Sequence, residues 1–286
     1  MIPLLRAVGQ RVTALDVAAS GVDPKKVDEV HSSDYVEPLA EFMASITSEG
    51  DGQAVGHRVT ALDVAASGVD PKRVDEVHSL DYVEPLAEFM ASIPSEGDGV
   101  ILVGHSLDGF CRLIAAAVFV AAMMPSPDLC HPFIVQQVST EISSGLFFER
   151  KAARFMDCQF TFGNGLNNPP TSFLLGPNYT SSRLYQLSSQ EDVSLATLLM
   201  RPHAITQSEE ILPRETSVTK ERCGSVRRVY IVGDEDKMIK VDFQKWLMEK
   251  ISTDQVKVII GSDHMAMLCK PLELCVCLQQ ITDTYI

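Results

Sequence analysis

Short runs of apolar and β-branched residues recur from residue 100 onward, and most of them end at a glycine or a polar residue. Such runs are typical of strands that are buried on both faces of a parallel sheet. We predict strands over Val100–Val103, Ala117–Met124, Arg228–Val232 and Val256–Ile260. Helical spacing of apolar residues predicts helices from about Val241 to Ile251 and from Pro271 onward. The alternation predicts an α/β fold with a mostly parallel sheet flanked by helices.

The first half of the chain contains one segment twice. Residues 11–52 recur at 58–99, and the copies differ only at Lys26/Arg73, Ser33/Leu80 and Thr47/Pro94. Each copy predicts a strand and then a helix. The strands are Val12–Val17 and Val59–Val64, and the helices run from about Tyr35 to Ile46 and from about Tyr82 to Ile93.

Two nearly identical copies do not resemble a solenoid, whose repeats usually drift in sequence while keeping structural positions. We interpret the repeat as a recent tandem duplication, or as an error in defining the gene, in which residues 11–52 are surplus. The second copy runs directly into Val100. We therefore expect the strand of the second copy to lie beside the strand at 100–103.

Ser106 follows the strand at 100–103 in the sequence Gly-His-Ser-Leu-Asp, where a sharp turn leads into a predicted helix. A serine on such a strand-to-helix turn is the nucleophile elbow of an α/β-hydrolase, with the pattern G-x-S-x-G. Here Asp108 stands where the pattern has its second glycine. The alternative is that Ser106 only caps the helix.

Polar residues also follow two later strands. Asp234 and Asp236 come after the strand at 228–232, and His264 comes after the strand at 256–260. The carboxyl ends of parallel strands are where open α/β sheets place their sites. The order serine, aspartate, histidine is that of the α/β-hydrolases, in which the carboxylate orients the base that takes the serine proton. Alternatively, Asp236 is a solvated turn residue and His264 a capping or core histidine.

Residues 126–207 differ in character from the predicted sheet. They are polar and rich in proline, glycine and asparagine, with one clear helical stretch at Gln190–Met200. A segment of this kind between two strands predicts an inserted cap over the site. Residues 1–286 then form a single α/β domain. His105, next to Ser106, is expected to point away from the site and to pack.

Composition restricts the function classes. A net charge of −14 argues against nucleic acid and membrane surfaces as partners. The longest uncharged apolar run, Leu113–Met124, is shorter than a bilayer span. Seven cysteines without C-x-x-C spacing favour reduced thiols over disulfides or zinc. We expect a cytoplasmic protein without a metal site.

Several stretches together resemble the plant methylesterase and hydroxynitrile lyase family of α/β-hydrolases, which includes methyl salicylate, methyl jasmonate and methyl indole-acetate esterases. They are VTALDVAASGVDP, VILVGHSLDGF, AVFVAAMMP, SRLYQLSSQEDVSLATLLMRP, VRRVYIVGDEDKMI and GSDHMAMLCKP. The resemblance implies that Ser106 is the nucleophile, Asp236 the acid and His264 the base. It implies a serine carboxylesterase that acts on a small-molecule ester or carboxylic acid without a cofactor, and it is compatible with a homodimer.

The resemblance also assigns two neighbouring residues. The backbone N–H of Leu107 is the implied oxyanion donor. Met265 stands where the lyases of the family carry a lysine, which favours the esterase branch. Because Met265 follows His264, it is also a candidate to touch the substrate, and the alternative is that it belongs to the core. A hydroxynitrile lyase remains an alternative function.

The chain departs from the family at three points. The family's first strand, with its oxyanion loop, is expected to be missing, although the surplus strand copy is a candidate to fill its place. The helix after Ser106 is expected to be short. A carboxylate at Asp108, about 6 Å from the oxyanion, opposes its charge by roughly 3 kcal/mol, or about a hundredfold in rate. An impaired relative that binds a small carboxylic acid is therefore the second functional hypothesis.

Overall fold

The computed structural model describes residues 13–16, 61–63, 88–89, 91–92, 100–105, 115–124, 155–166, 168, 170–204 and 226–286. Within these residues, six strands form one parallel sheet in the order β2-β1-β3-β4-β8-β9. The strands are β1 (Thr13–Asp16), β2 (Ala61–Asp63), β3 (Ile101–His105), β4 (Ala116–Val120), β8 (Arg227–Gly233) and β9 (Gln255–Ile259). The predicted α/β architecture is confirmed.

The described helices lie between or after the strands. They are α1 (Pro177–Tyr179), α2 (Gln190–Leu199), α3 (Val241–Lys250), α4 (Ala266–Cys269) and α5 (Pro271–Tyr285). A turn of π-helix, Thr180–Leu184, follows α1. No helix within the described ranges is long and apolar enough to cross a membrane.

Alternate residues of each central strand face opposite sides of the sheet, as the two-residue period of a strand requires. Leu102 and Tyr230 pack on one face with residues of α3, whereas Val103 and Ile231 pack on the other face with residues of α5. Both faces are therefore buried, which explains why these strands have continuous apolar sequences.

The strands and helices that border the site agree with the sequence. Strand β8, helix α3 and helix α5 lie where they were predicted, within one residue at most ends. Strand β4 is shorter than predicted and ends at Val120 instead of Met124. Ala121 has a φ of 43°, a left-handed conformation that an extended strand cannot contain, so the apolar run continues without the strand.

The two repeat copies occupy different positions from those expected. Strand β1, from the first copy, pairs with the elbow strand β3, and β2, from the second copy, pairs only with β1 among the described strands. The expectation that the second copy lies beside the elbow strand is therefore wrong. The strand of the first copy occupies that inner position. That it replaces the family's first strand stays a prediction. That residues 11–52 are surplus stays a prediction.

The segment predicted as a cap contains a small antiparallel sheet that the sequence analysis missed. Its strands are β5 (Gln159–Thr161), β6 (Ser172–Leu174) and β7 (His203–Ala204). The predicted helix is present as α2, and Ser189 caps it by accepting the N–H of Asp192 at 3.1 Å. Strands of two or three residues are too short to show a clear alternation in the sequence.

Candidate active site

The loops after β8 and β9 bring Asp236 and His264 together. Asp236 Oδ2 accepts a hydrogen bond from His264 Nδ1 at 2.8 Å, and both side chains are buried. The other carboxylate oxygen, Oδ1, accepts the N–H groups of Met238 at 2.7 Å and Ile239 at 2.9 Å. These bonds fix the carboxylate, and a carboxylate partner requires the proton on Nδ1. Nε2 is then the basic nitrogen of the ring.

Asp234, the other aspartate that follows β8, binds the backbone of the loop that carries His264. Its Oδ1 accepts the N–H of Gly261 at 2.6 Å and of Ser262 at 3.3 Å. Gly261 has a φ of 72°, a left-handed conformation that suits glycine, and this turn leads the chain toward His264. Asp234 therefore shapes the loop that carries the histidine.

The end of β8 approaches the histidine loop closely. A Cβ atom on Gly233 would lie 3.1 Å from the backbone oxygen of Asp263 and 3.3 Å from that of Ser262. Glu235 N–H also donates to the oxygen of Ser262 at 3.0 Å. A glycine at the end of β8 therefore lets the two loops lie near enough for Asp236 to reach His264.

His105, at the end of β3, contacts the same histidine. Its Nε2 donates to the backbone oxygen of His264 at 2.8 Å, and the two ring centroids are 4.7 Å apart. His105 is buried, as expected of a packing residue. The expectation that it points away from the site is wrong, because it supports the backbone of the candidate base.

The surroundings of His105 keep it neutral. Burial, together with repulsion from a protonated His264, lowers the pKa of His105 from 6.5 to about 3, although its bond to the backbone of His264 opposes the shift. Its Nδ1 is buried and has no hydrogen-bond partner among the described residues. His105 therefore acts as a neutral donor through Nε2.

Asp263 is a second residue that the sequence analysis missed. It is fully buried, and its Oδ1 accepts the N–H of Met265 at 2.9 Å. Its Oδ2 accepts the N–H of Leu187 at 2.8 Å and the hydroxyl of Ser188 at 3.2 Å. The only sequence signal was an acidic residue directly before the candidate base.

Met265 lies under the residues of the predicted cap. Its side chain is only 1% exposed and packs in a cluster with Tyr179, Leu184, Tyr185 and Ala196. This cluster joins the histidine loop to residues 177–199. Its role beside the substrate stays a prediction.

Ser106, Leu107 and Asp108 lie outside the described residues, so their predicted roles are not tested by the geometry. Ser106 directly follows His105, the last residue of β3. The ring of His264 therefore contacts the residue next to the predicted nucleophile. Among the described residues, no group of three or more histidine, cysteine, aspartate or glutamate side chains is arranged to hold a metal ion.

Comparison with known proteins gives matches along nearly the whole chain. The profile of the Alpha/beta hydrolase family matches residues 2–274. Methyl jasmonate esterase 1 of Vitis vinifera is 46% identical, over 98% of this chain and 89% of the relative. Salicylic acid-binding protein 2 of Nicotiana tabacum is 40% identical, over 99% of this chain and 90% of the relative. The crystal structure of tomato methylketone synthase I complexed with 2-tridecanone matches with a TM-score of 0.74 and 33% identity. The match covers 97% of this chain and 99% of that chain.

Proposed function

Because the chain belongs to the alpha/beta hydrolase family and is a carboxylic ester hydrolase of the plant methylesterase type, we propose that it hydrolyses methyl esters of small acids through Ser106, His264 and Asp236. Methyl jasmonate is the first candidate substrate, since the relative named for that activity is 46% identical to this chain. Methyl salicylate and methyl indole-acetate are the next candidates. The observation that carries the proposal is the buried 2.8 Å bond between Asp236 and His264.

In the proposed reaction, Ser106 Oγ attacks the ester carbonyl carbon while His264 Nε2 takes the hydroxyl proton. Asp236 stabilises the imidazolium that forms, through Nδ1. The N–H of Leu107 holds the developing oxyanion. His264 then returns the proton to the departing methoxide, so that methanol leaves, and water hydrolyses the acyl-enzyme by the same steps.

The test compares the wild-type protein with Ser106→Ala on methyl jasmonate, methyl salicylate and p-nitrophenyl acetate. We expect Ser106→Ala to lower kcat/KM by about 10⁴-fold or more, because the nucleophile is lost. Ser194→Ala is a matched control, since Ser194 is exposed on α2, and it should keep the wild-type rate. Equal rates for the wild type and Ser106→Ala would refute the proposal.

Binding of a small carboxylic acid without turnover is the second candidate function, and Asp108 favours it. A carboxylate at this position opposes the oxyanion by electrostatic repulsion. Saturable binding of salicylic or jasmonic acid, combined with no ester hydrolysis, would support this candidate. Restored hydrolysis in Asp108→Gly would then locate the defect at the oxyanion site.

A further inference from the structure

One buried carboxylate joins the histidine loop to the residues that precede helix α2. Asp263 Oδ1 holds the N–H of Met265, the residue after His264, whereas Oδ2 holds the N–H of Leu187 and the hydroxyl of Ser188. Asp263 is itself the residue before His264. The backbone on both sides of the candidate base is therefore tied to residues 187–188.

The donors around Asp263 form a specific site for a carboxylate. Within the described ranges, Asp263 forms no ion pair with a lysine or arginine, so backbone N–H groups and a hydroxyl compensate for its burial. Burying a carboxylate is costly unless such donors surround it, and hydrogen bonds to an ionised acceptor are the stronger ones. Separating residues 187–188 from Asp263 would remove two of these donors at once. The contact between Asp263 and residues 187–188 is therefore stable.

The same stretch also contacts the loop that carries Asp236. Gln186 Nε2 donates to the backbone oxygen of Glu235 at 2.7 Å. Three consecutive residues, 186–188, therefore bind both the loop after β8 and the loop after β9. Any movement of this stretch acts on both loops, and these loops hold the two partners of the Asp236–His264 bond.

We propose that Asp263 is a positioning residue that couples the seating of residues 186–188 to the orientation of His264, an inference that rests on the proposed esterase function. His264 then has its working geometry only while residues 186–188 are docked. Loss of the bonds between Asp263 and residues 187–188 should therefore loosen the loop that carries His264 and slow the attack by Ser106.

The direct test is Asp263→Asn, which keeps the shape of the side chain but turns an amide NH₂ toward one of the donors. We expect kcat to fall about tenfold for both p-nitrophenyl acetate and methyl jasmonate, because one charge-assisted hydrogen bond is lost. The change in KM should be smaller than the change in kcat. Amide hydrogen exchange over residues 183–189 should become faster by a similar factor.

Asp254→Asn is the matched control. Asp254 also accepts a backbone N–H, from Arg228 at 2.8 Å, and it pairs with Arg227, but it precedes β9 at the opposite end of the sheet from His264. This control should lower the melting temperature without lowering kcat. If Asp254→Asn lowers kcat as much as Asp263→Asn does, the effect is general destabilisation and the proposal is wrong.

Ser188→Ala provides a milder variant that removes one donor and leaves the carboxylate in place, and it decides the question if Asp263→Asn does not fold. It should lower kcat and speed exchange over residues 183–189 by about twofold to threefold. Faster exchange with an unchanged kcat would overturn the coupling, and so would unchanged exchange. A wild-type protein that hydrolyses neither ester would instead refute the proposed function, while the exchange rates would still report the tie between residues 187–188 and Asp263.

Discussion

His105 and His264 are two buried histidines whose rings lie 4.7 Å apart at a tilt of 45°. They belong to different parts of the sheet, since His105 ends β3, His264 follows β9, and β4 and β8 lie between these two strands. The Nδ1–H of His264 donates a hydrogen bond to the carboxylate of Asp236, whereas the Nε2–H of His105 donates one to a backbone carbonyl. The two residues therefore share an environment but differ in their partners.

The comparison shows that two buried histidines are suited to different tasks by their hydrogen-bond partners. A carboxylate stabilises an imidazolium, so His264 can act as a base although it is buried. A neutral carbonyl does not offset the cost of burying a charge, and the pKa of His105 accordingly falls to about 3. His264 is suited to carrying a proton, and His105 is suited to holding His264 in place.

The largest expected effect comes from removing the proposed base. His264→Ala should lower kcat/KM for methyl jasmonate by about 10⁴-fold or more, since no group then takes the serine proton. Steady-state hydrolysis rates at pH 7 to 8 measure the effect. A loss of tenfold or less would show that the two histidines do not differ in role.

Replacing the partner of His264 should have the next largest effect. Asp236→Asn should lower kcat by about 10³-fold to 10⁴-fold, because an amide favours the wrong tautomer and cannot stabilise the imidazolium. Asp283→Asn is the matched control, since Asp283 is exposed and binds only Gln279 among its described contacts. A rate for Asp236→Asn close to that of this control would contradict the assignment.

Two substitutions of His105 distinguish the effect of its hydrogen bond to the His264 carbonyl from the effect of its ring contact with His264. His105→Phe keeps a ring but loses the bond to the His264 carbonyl, and we expect kcat to fall about tenfold. His105→Gln places an amide N–H at the same number of bonds from the backbone, and kcat should stay within about threefold of the wild type. If His105→Phe is the more active of the two, the ring contact matters and the hydrogen bond does not.

The smallest expected effect is on stability in mild acid. The unfolded chain protonates His105 near its ordinary pKa of 6.5, whereas the folded protein does so only near 3. The unfolded state therefore binds more protons between these values, and the contribution of His105 is complete above pH 6.5 and is lost progressively toward pH 3. From pH 8 to pH 6, protonation of His105 in the unfolded state should lower the free energy of unfolding by about 1 kcal/mol.

Urea denaturation of the wild type and of His105→Gln at pH 8 and pH 6 measures this difference. The glutamine variant should lose less stability between the two pH values, because it has no group there to protonate. An equal loss in both proteins would show that the folded state accommodates a protonated His105.

The sequence was sufficient to predict which strands build the sheet and that Asp236 and His264 follow two of them. Buried strands have continuous apolar runs, and the polar residues that end them are easy to recognise. The inward position of His105 was not predictable in this way. The contact depends on where the loop after β9 places the backbone of His264, and nothing in the sequence around His105 indicates that position.

The contacts of Asp263 escaped prediction for a different reason. They depend on how residues 186–188 dock, and this stretch lies between a π-helical turn and α2, where hydrophobic periodicity says little about tertiary contacts. The order of β1 and β2 was also beyond the sequence, because the two strands have the same residues and differ only in what connects them.

Strands β1 and β2 pair in exact alignment, with Ala14 opposite Ala61, Leu15 opposite Leu62 and Asp16 opposite Asp63. If the two strands exchanged positions, every position in the sheet would still hold the same residue type. Only the connecting segments therefore distinguish the two topologies. Folding such a chain involves a choice between two isomers that are alike in their strand pairing. An in-frame duplication can enlarge a parallel sheet in this way, because the duplicated strand can pair in register with the original strand, which has the same residues.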